Sequence, residues 1–362
     1  MSTAWEQSQP VRGLRCGGGD HLWGDEEPVF ISSRFGFMDL RQMEYFLAVV
    51  DHGGVNRAAA ALRVAQPSLS QAVRKLEKDL GTELFHRVGR GLVLAPAGEA
   101  LIGPARMILR EAEVAENAVR TVGQGRGGRV DIATLSDMST DPLSVWVAQF
   151  RAEFRDVRFR IEERDEAADV LELVRSGSCE IGFLAMPIAG GELVSEELVD
   201  QKFVLVCPPG TESYWPDPTP IEALTEIPFV MGERGMATRD YIEYSLREHG
   251  AEPRIVVEVP QRGAVLPMVL SGGGAAIIPL RIALDARHRG GVVRELSPGL
   301  SRRIGVVRRP GRLTPASTEF LNLSKRSLQA WLRGIERNVS RGHALIEAAS
   351  LTALAADPCV SG

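Results

Sequence analysis

The chain has 362 residues, 44% of them hydrophobic and 25% charged, which is long enough for two or three globular domains with separate cores. Its formal net charge of -5 excludes a surface coated in basic residues, so any contact with nucleic acid must be local. The four cysteines form no C-x-x-C pair and the six histidines no ligand spacing with them, which argues against a metal site. No apolar run reaches the length of a membrane span and no export signal stands at the N-terminus, so we expect a cytoplasmic protein without membrane contact and without a cofactor.

Residues 1–37 form a segment without sustained periodicity. They contain three consecutive glycines and the acidic run Asp25-Glu26-Glu27. Such composition cannot build a core, so we expect this extension to be poorly ordered. Because a clean helical pattern starts just after Met38, we expect Met38 to be the natural first residue, with a functional N-terminal arm as the alternative.

Three helices are predicted between residues 40 and 80. The first runs from Leu40 towards Val50 and ends at Gly53-Gly54. Apolar residues then recur with i, i+3, i+4, i+7 spacing over 55–62 and again over 69–80, separated by a turn of three residues. Pro67 suits the first turn of a helix, since its missing N–H is not needed there. The pattern indicates a helix-turn-helix whose second helix starts near Gln66.

The polar face of that second helix carries short hydrogen-bonding groups followed by cations. This order suits a DNA major groove, where Gln and Ser read base edges and Arg and Lys meet phosphates. An ordinary solvated helix face is the alternative, because the window 38–95 holds eight Lys and Arg against six Asp and Glu, a net of only +2. The face consists of Ser68, Ser70, Gln71, Arg74, Lys75 and Lys78.

A β-hairpin is predicted after Gly81. Two short strands, near 83–87 and 92–94, flank a turn that contains glycine. A hairpin directly after a recognition helix is a wing, and Arg87 and Arg90 are placed to reach phosphates or a minor groove. The alternative is a hairpin that merely closes the small core.

A long helix is predicted over 97–122, and the glycine-rich stretch 123–128 after it is predicted to be a flexible hinge. Apolar residues follow one another along the helix at alternating steps of four and three, which favours pairing with a second helix and predicts a dimer. The positions are Leu101, Ala105, Ile108, Ala112, Ala115, Val119 and Val122.

Beyond the hinge, strands and helices alternate, which predicts parallel sheets with ligand sites beyond the strand ends. About 200 residues of this pattern exceed one sheet, so we expect two lobes with a cleft between them. The predicted strands are 130–135, 157–162, 181–186, 203–207, 228–231, 255–259, 275–278, 292–296 and 304–308, and the helices are 142–154, 167–175, 221–224, 238–248, 264–270 and 316–332.

The order of these elements resembles that of LysR-type transcriptional regulators. The resemblance covers about residues 38–334 and is carried by RQMEYFLAVVDHGGVNRAAAALRVAQPSLSQAVRKLEKDLGTELFHRVGRGLVLAPAG, by EIGFLAM and by VLSGGGAAIIP. It implies an α/β protein overall, with an N-terminal winged helix-turn-helix, a long linker helix and a C-terminal two-lobed, periplasmic-binding-protein-like sensor domain. It also implies binding to pseudo-palindromic double-stranded DNA as a homodimer or a dimer-of-dimers homotetramer, with RNA polymerase as a candidate further partner.

The expected domain division follows from the same resemblance. The DNA-binding domain is expected at 38–95, the linker helix and hinge at 96–128 and the effector-binding domain at 129–334. Within the last of these, lobe I is expected at about 129–203 and 302–334 and lobe II at about 204–301. Residues 335–362 are expected to form a C-terminal tail, helical in part.

For DNA contacts, the family's pattern at the recognition helix matches Gln66, Pro67, Ser68, Ser70 and Gln71, and its wing contacts match Arg87 and Arg90. Gln71 stands where many members have Arg, and it retains hydrogen bonding without the charge. Ala65 replaces the usual Ser or Thr cap, which should weaken the helix start by about 1 kcal/mol.

For the effector, the resemblance implies a cleft lined by loops at strand ends. Such positions favour an anion, so an organic acid is expected, although Asp137 and Glu233 count against a simple carboxylate pocket. The implied effector-binding residues are Ser136, Asp137, Met138, Ser139, Ala185, Met186, Gly232, Glu233, Arg234, Gln261 and Arg262.

Three other functions have less support in the sequence. No G-x-S-x-G motif and no cluster of His and Asp indicates an enzyme. A solute-binding protein explains the α/β region but neither the helix-turn-helix nor the linker helix. A redox-sensing regulator of the same fold would use Cys179 and Cys207, which both stand at predicted strand ends. The prediction is therefore a sequence-specific, effector-modulated DNA-binding regulator without enzymatic activity.

Overall fold

The computed structural model describes residues 38–88, 91–120, 127–188 and 190–356. The expectations for residues 1–37 and for most of the hinge at 123–128 lie outside the described residues.

The first three helices form as predicted. A capping box starts the first, where the Asp39 carboxylate accepts from the N–H of Arg41 and the Gln42 side chain accepts from the N–H of Asp39. Arg63 ends the second with φ 55°, a left-handed conformation that makes the turn between helices tight. The three are α1 (Leu40–His52), α2 (Val55–Leu62) and α3 (Gln66–Leu80).

A hairpin of β1 (Phe85–Val88) and β2 (Gly91–Leu94) follows α3, with Phe85 opposite Leu94 in an antiparallel register. The Glu77 carboxylate on α3 accepts hydrogen bonds from the N–H groups of Leu84 at 3.0 Å and of Phe85 at 3.2 Å. These bonds fix the hairpin beside α3, and the predicted hairpin is confirmed.

The linker helix α4 (Pro96–Arg120) packs on the DNA-binding domain with side chains from residues 97–109. Ala105 is fully buried and Leu101 is half-buried there, while Met107 and Ile108 are 47% and 37% exposed. The prediction of one continuous seam for a second helix is therefore corrected, because the core of the same chain occupies its first two positions. Val122 and the side chain of Val119 lie outside the described residues.

The region after the linker contains eleven strands and eight helices among its described residues. A π-type turn covers Ser139–Leu143, and 3-10 turns cover Ile221–Glu226 and Arg262–Ala264. The main elements are β3 (Gly128–Leu135), α5 (Ser136–Met138), α6 (Ser144–Glu153), β4 (Val157–Arg164), α7 (Ala167–Arg175), β5 (Ile181–Ala185), β6 (Val194–Cys207), β7 (Thr219–Pro220), β8 (Pro228–Gly232), α8 (Ala237–Glu248), β9 (Arg254–Val259), α9 (Val265–Leu270), β10 (Ala276–Pro279), α10 (Leu280–His288), β11 (Val292–Arg294), β12 (Leu296–Ser297), β13 (Leu300–Arg308), α11 (Pro315–Ser340) and α12 (Leu345–Ala356).

The sheets are only partly parallel. The largest has the order β10-β6-β13-β5-β3-β4, with β11 also paired to β6; β3 pairs in parallel with β4 and β5, whereas β6 pairs antiparallel with β10, β11 and β13. A separate pair, β8 and β9, is parallel. The first half of β6 was not predicted. Residues 194–197 are all exposed, so they lack the alternation of buried and exposed side chains by which a strand is recognised.

Two groups of buried side chains form the cores on either side of a central cleft. The first surrounds Trp146, Phe150 and Phe320 and is built from β3–β5, α6, α7 and the start of α11; we call this part lobe I. The second surrounds Phe229 and Ile277 and is built mainly from β8, β10, α8, α10 and the buried half of β6; we call this part lobe II.

The C-terminal helices connect the two lobes. Phe320 of α11 packs in lobe I, whereas Ile346 and Ala349 of α12 pack in lobe II. Gly334 on α11 leaves the space that Thr352 on α12 occupies. The described part of the tail, which was expected to be helical in part, forms a helical hairpin with α11. Helix α11 continues the predicted helix 316–332 to Ser340.

Candidate DNA-binding surface and effector cavity

The polar face of α3 is open to solvent. Leu69, Val73 and Leu76 on the opposite face are buried in the domain core. Ser70 is half-buried, and its hydroxyl accepts a hydrogen bond from Arg74 Nη2 at 3.0 Å. The other predicted DNA-contacting residues of this helix are exposed, namely Gln66, Pro67, Ser68, Gln71, Arg74 and Lys75.

The start of α3 has no side-chain cap, as the alanine at position 65 predicted. The Ala65 carbonyl accepts from the N–H groups of Ser68 and Leu69, and Pro67 stands in the first turn. The N-terminus of α3 is therefore exposed, and its positive dipole end can face a phosphate.

The structure describes only one of the two wing arginines, and only its backbone. Arg87 lies in β1 opposite Leu92, but its side chain is outside the described residues. Arg90 is outside them altogether. Their DNA contacts remain predictions.

Two arginines of α4 connect the DNA-binding domain with lobe I. Arg106 lies 2.6 Å from Asp51 Oδ1 at the end of α1 and also donates to the hydroxyl of Ser178. Arg110 donates to the carbonyl oxygen of Gly177 at 3.0 Å. No local pattern in the sequence indicates these contacts, because the turn that receives them lies about 70 residues further along the chain.

A cavity of about 500 Å³ lies between the lobes. Its wall is mostly apolar, with a few charged groups from each side, as is typical of small-molecule sites. Lobe I contributes Asp137, Thr140, Asp141 and Val145; lobe II contributes Val230, Met231, Gly232, Thr238, Arg239, Ile242, Arg262, Gly263, Val265, Leu266, Pro267, Ile277, Ile278, Pro279, Arg281, Ile282, Asp285 and Arg289.

Three of the eleven residues predicted for the effector line this cavity: Asp137, Gly232 and Arg262. Ser136 instead donates to Asp165 Oδ1 at 2.8 Å, and Ser139 donates to Glu163 Oε1 at 2.5 Å. The structure does not place the remaining predicted residues on the cavity wall: Met138, which is buried in lobe I, and Ala185, Met186, Glu233, Arg234 and Gln261.

Asp137 is held by a buried arginine that the sequence analysis missed. Arg302 on β13 is 4% exposed; it donates to Asp137, to Gln201 at 2.8 Å and to Thr238 at 2.8 Å. Burial acts to raise the pKa of Asp137, but the charges of Arg302 and Arg262 outweigh it and hold that pKa below its usual value. Among the described residues, Asp137 Oδ1 has no hydrogen-bond partner.

Asp141 is the second buried carboxylate at the cavity. Burial raises the pKa of Asp141 to about 6, although the charge of Arg281 acts to lower it. Arg281 Nε lies 3.4 Å from Asp141 Oδ1, which is within ion-pair range but is not aligned as a hydrogen bond, so that oxygen also lacks a hydrogen-bond partner in the described part of the chain. The guanidinium of Arg281 stacks on the ring of Trp331 at 4.6 Å.

Two further arginines, Arg239 and Arg262, line the cavity from lobe II, and they differ in how far their hydrogen bonds are satisfied. Arg239 is fully buried, donates to Glu243 at 2.6 Å and to the Gly232 carbonyl at 2.6 Å, and so supports the loop after β8. Burial lowers the pKa of Arg262, and Arg262 Nε finds no hydrogen-bond acceptor among the residues described. Arg262 is therefore a cation open to a ligand, whereas Arg239 is a structural one.

Neither cysteine has the surroundings of a redox sensor. Cys179 is buried in lobe I and Cys207 in lobe II. Burial raises the pKa of the Cys179 thiol to about 12 and that of the Cys207 thiol to about 11. Thiols with such pKa values form almost no reactive thiolate near neutral pH, so the geometry does not favour the redox alternative.

Within the described ranges, no group of His, Cys, Asp and Glu side chains could hold a metal ion. In the same part of the chain, no helix combines the length and the apolar character that crossing a bilayer requires.

Comparison with known proteins identifies the class. The family described as "Bacterial regulatory helix-turn-helix protein, lysR family" matches residues 40–99, and "LysR substrate binding domain" matches residues 123–329. The chain belongs to the LysR family of DNA-binding transcriptional regulators, with an effector-binding domain after the linker helix.

Individual relatives are more distant. The chain is 30% identical over 289 residues to the RuBisCO operon transcriptional regulator of Allochromatium vinosum, covering 78% of this chain and 94% of that one. It is 26% identical over 282 residues to the uncharacterized regulator YfeR of Shigella flexneri, covering 78% and 91%.

Two solved structures share the fold. A full-length OxyR variant from Pseudomonas aeruginosa has a TM-score of 0.61 at 21% identity and covers 80% of this chain and 97% of that one. Full-length CbnR complexed with its target DNA has a TM-score of 0.55 at 20% identity and covers 80% and 100%.

Proposed function

We propose that α3 reads an operator in the major groove and that the wing contacts the adjacent backbone. The observation that carries this proposal is the exposed face of α3, with Gln66, Ser68 and Gln71 towards its N-terminus and Arg74 and Lys75 further along. Hydrogen-bonding groups there suit base edges, and the cations suit phosphates. Arg87 and Arg90 complete the proposed surface.

The proposed working form is a homodimer, or a tetramer of two dimers, in the cytoplasm. Met107 and Ile108 support dimerisation, because they are large apolar side chains exposed on α4, whereas the neighbouring Ala105 and Leu109 pack on its own domain. Two copies on one DNA site multiply a modest affinity of each α3. RNA polymerase stays a candidate further partner on the strength of the family resemblance alone.

The proposed switch is a small molecule bound in the cavity between the lobes. Asp137 and Asp141 line it from lobe I, and Arg262 and Arg281 line it from lobe II, so a ligand can interact with both lobes at once. A ligand shifts the regulator only if it binds one arrangement of the lobes better than another. The contacts of Arg106 and Arg110 with lobe I offer a route to the DNA-binding domain.

Selection of duplexes from a random library by the full-length chain tests the DNA proposal. Against the selected duplex, Gln71→Ala should lose on the order of 1–3 kcal/mol of discrimination between the selected and scrambled sequences. Lys75→Ala should weaken binding to both duplexes alike and reduce the salt slope by about one.

Gln329→Ala, an exposed glutamine on α11, serves as the matched control and should bind as the unaltered chain does. Unchanged discrimination in Gln71→Ala would contradict the proposed groove-facing role. Failure of the full-length chain to enrich any duplex would overturn the DNA-binding proposal itself.

A further inference from the structure

Charged side chains line the cavity from both lobes, and on lobe II the Asp285 carboxylate is paired with the nearby Arg289. Lobe I presents the carboxylates Asp137 and Asp141, from the turns that follow β3. Lobe II presents the guanidiniums Arg262, after β9, and Arg281, on α10. A ligand that lies between them meets acceptors on one side and donors on the other.

Several of these groups have unused hydrogen-bonding atoms. Asp137 and Asp141 are 4% and 7% exposed, and each has an Oδ1 atom without a hydrogen-bond partner in the described residues. Arg262 Nε is buried and equally unpartnered there. The folded chain has already removed these atoms from water, so a ligand that hydrogen-bonds to them does not have to displace their hydration.

The rest of the wall is mostly apolar and favours a ligand with an apolar part. Val145, Val230, Ile242, Leu266 and Ile278 are among the apolar side chains that line the cavity. A volume of about 500 Å³ with this lining accommodates an apolar group of several carbon atoms beside the charged end.

We propose that the effector is a zwitterion with an apolar side chain, of the apolar α-amino acid class. Its ammonium group donates to Asp141 and Asp137, its carboxylate accepts from Arg262, and its side chain fills the apolar part of the cavity. This assignment rests on the proposed function of the cavity and narrows it. A simple organic acid satisfies only the Arg262 side and leaves both aspartate oxygens unpaired.

A matched trio of probes tests the assignment by calorimetry on the full-length chain. L-phenylalanine carries both charged groups, 3-phenylpropionate lacks the ammonium group and 2-phenylethylamine lacks the carboxylate. L-leucine, L-methionine and L-tryptophan extend the panel to other side chains. At least one of the four amino acids should bind at millimolar concentration or below, and removing either charged group should weaken binding at least about tenfold.

Variants then locate the two contacts. Asp141→Asn and Arg262→Gln should each weaken binding of the amino acid at least about tenfold while leaving the native tryptophan fluorescence unchanged, because Trp146 is buried in lobe I and its signal shows that this part of the variant is folded. Glu233→Gln and Arg234→Gln remove the same charges from exposed positions off the cavity wall and should bind the amino acid normally.

The proposal is overturned if none of the four amino acids binds, or if 3-phenylpropionate binds as tightly as L-phenylalanine. Equal binding by Asp141→Asn or by Arg262→Gln also overturns it. Each of these results can occur while the chain still binds its selected duplex, so failure of the ligand assignment is distinguishable from failure of the regulator proposal.

Discussion

Replacing Arg302 by Met should destabilise the effector-binding domain strongly. Arg302 is 4% exposed, and its guanidinium donates to Asp137, Gln201 and Thr238. Methionine fits the space but removes the charge, so Asp137 is left buried without its nearest cation. Breaking a buried pair in this way costs about 3–5 kcal/mol.

The paired substitution separates lost charge compensation from lost packing. Asp137→Leu alone leaves Arg302 buried and uncompensated, and it should cost a similar amount. The double variant Arg302→Met with Asp137→Leu removes both charges, so its loss should be smaller than the sum of the two single losses by at least about 2 kcal/mol.

Urea unfolding followed by tryptophan fluorescence measures these free energies, because Trp146 is buried in lobe I and reports its core. Arg303→Met, a neighbouring and half-exposed arginine on the same strand, is the control and should change stability by less than about 1 kcal/mol. Additive losses in the double variant, or a loss below about 1 kcal/mol for Arg302→Met, would refute the role of the pair.

Three further predictions concern other sites. Asp141 faces Arg281 and Asp137, and its folded-state pKa of about 6 lies above the unfolded value of 3.8. The folded state therefore binds this proton more tightly than the unfolded state does. The resulting contribution to the free energy of unfolding is present below pH 3.8 and is lost as pH rises through 6. The stability of Asp141→Asn relative to the unaltered chain should therefore increase by about 2 kcal/mol between about pH 4 and pH 8 in urea titrations, and a pH-independent difference would contradict the shift. Ile108→Glu should weaken dimerisation by on the order of 3 kcal/mol in analytical ultracentrifugation, whereas Val339→Glu, exposed on α11, should not; equal effects would place the dimer interface elsewhere. Gly334→Ala should lower the melting temperature, because the new Cβ meets Thr352, and adding Thr352→Ala should restore it; a stabilised single variant would rule out that packing.

The DNA-binding domain could be predicted from the sequence nearly to the residue. Its helices depend on apolar spacing within a few turns, on the glycines after α1 and on Pro67 at the start of α3, all of which act locally. The burial of Leu69, Val73 and Leu76 then determines which face of α3 is exposed.

The effector-binding domain was predictable only in part. The exposed half of β6 and its antiparallel pairing with β13 left no buried alternation to read. Helix α10 was missed because it begins directly at the end of β10, with no side-chain cap to mark its start. The hairpin of α11 and α12 depends on Gly334 and Thr352 meeting, which no local pattern indicates.

The sequence by itself determined the DNA-binding module and the class of protein, because a helix-turn-helix is encoded by neighbours three and four residues apart. Only the tertiary structure decided the chemistry of the cavity. It brought Arg302 to Asp137 across 165 residues, placed Arg281 beside Asp141 and turned Ser136 and Ser139 towards other partners. The physical reason is that burial and charge pairing depend on which strand ends the two lobes bring together, and that arrangement is fixed by contacts far apart in the chain.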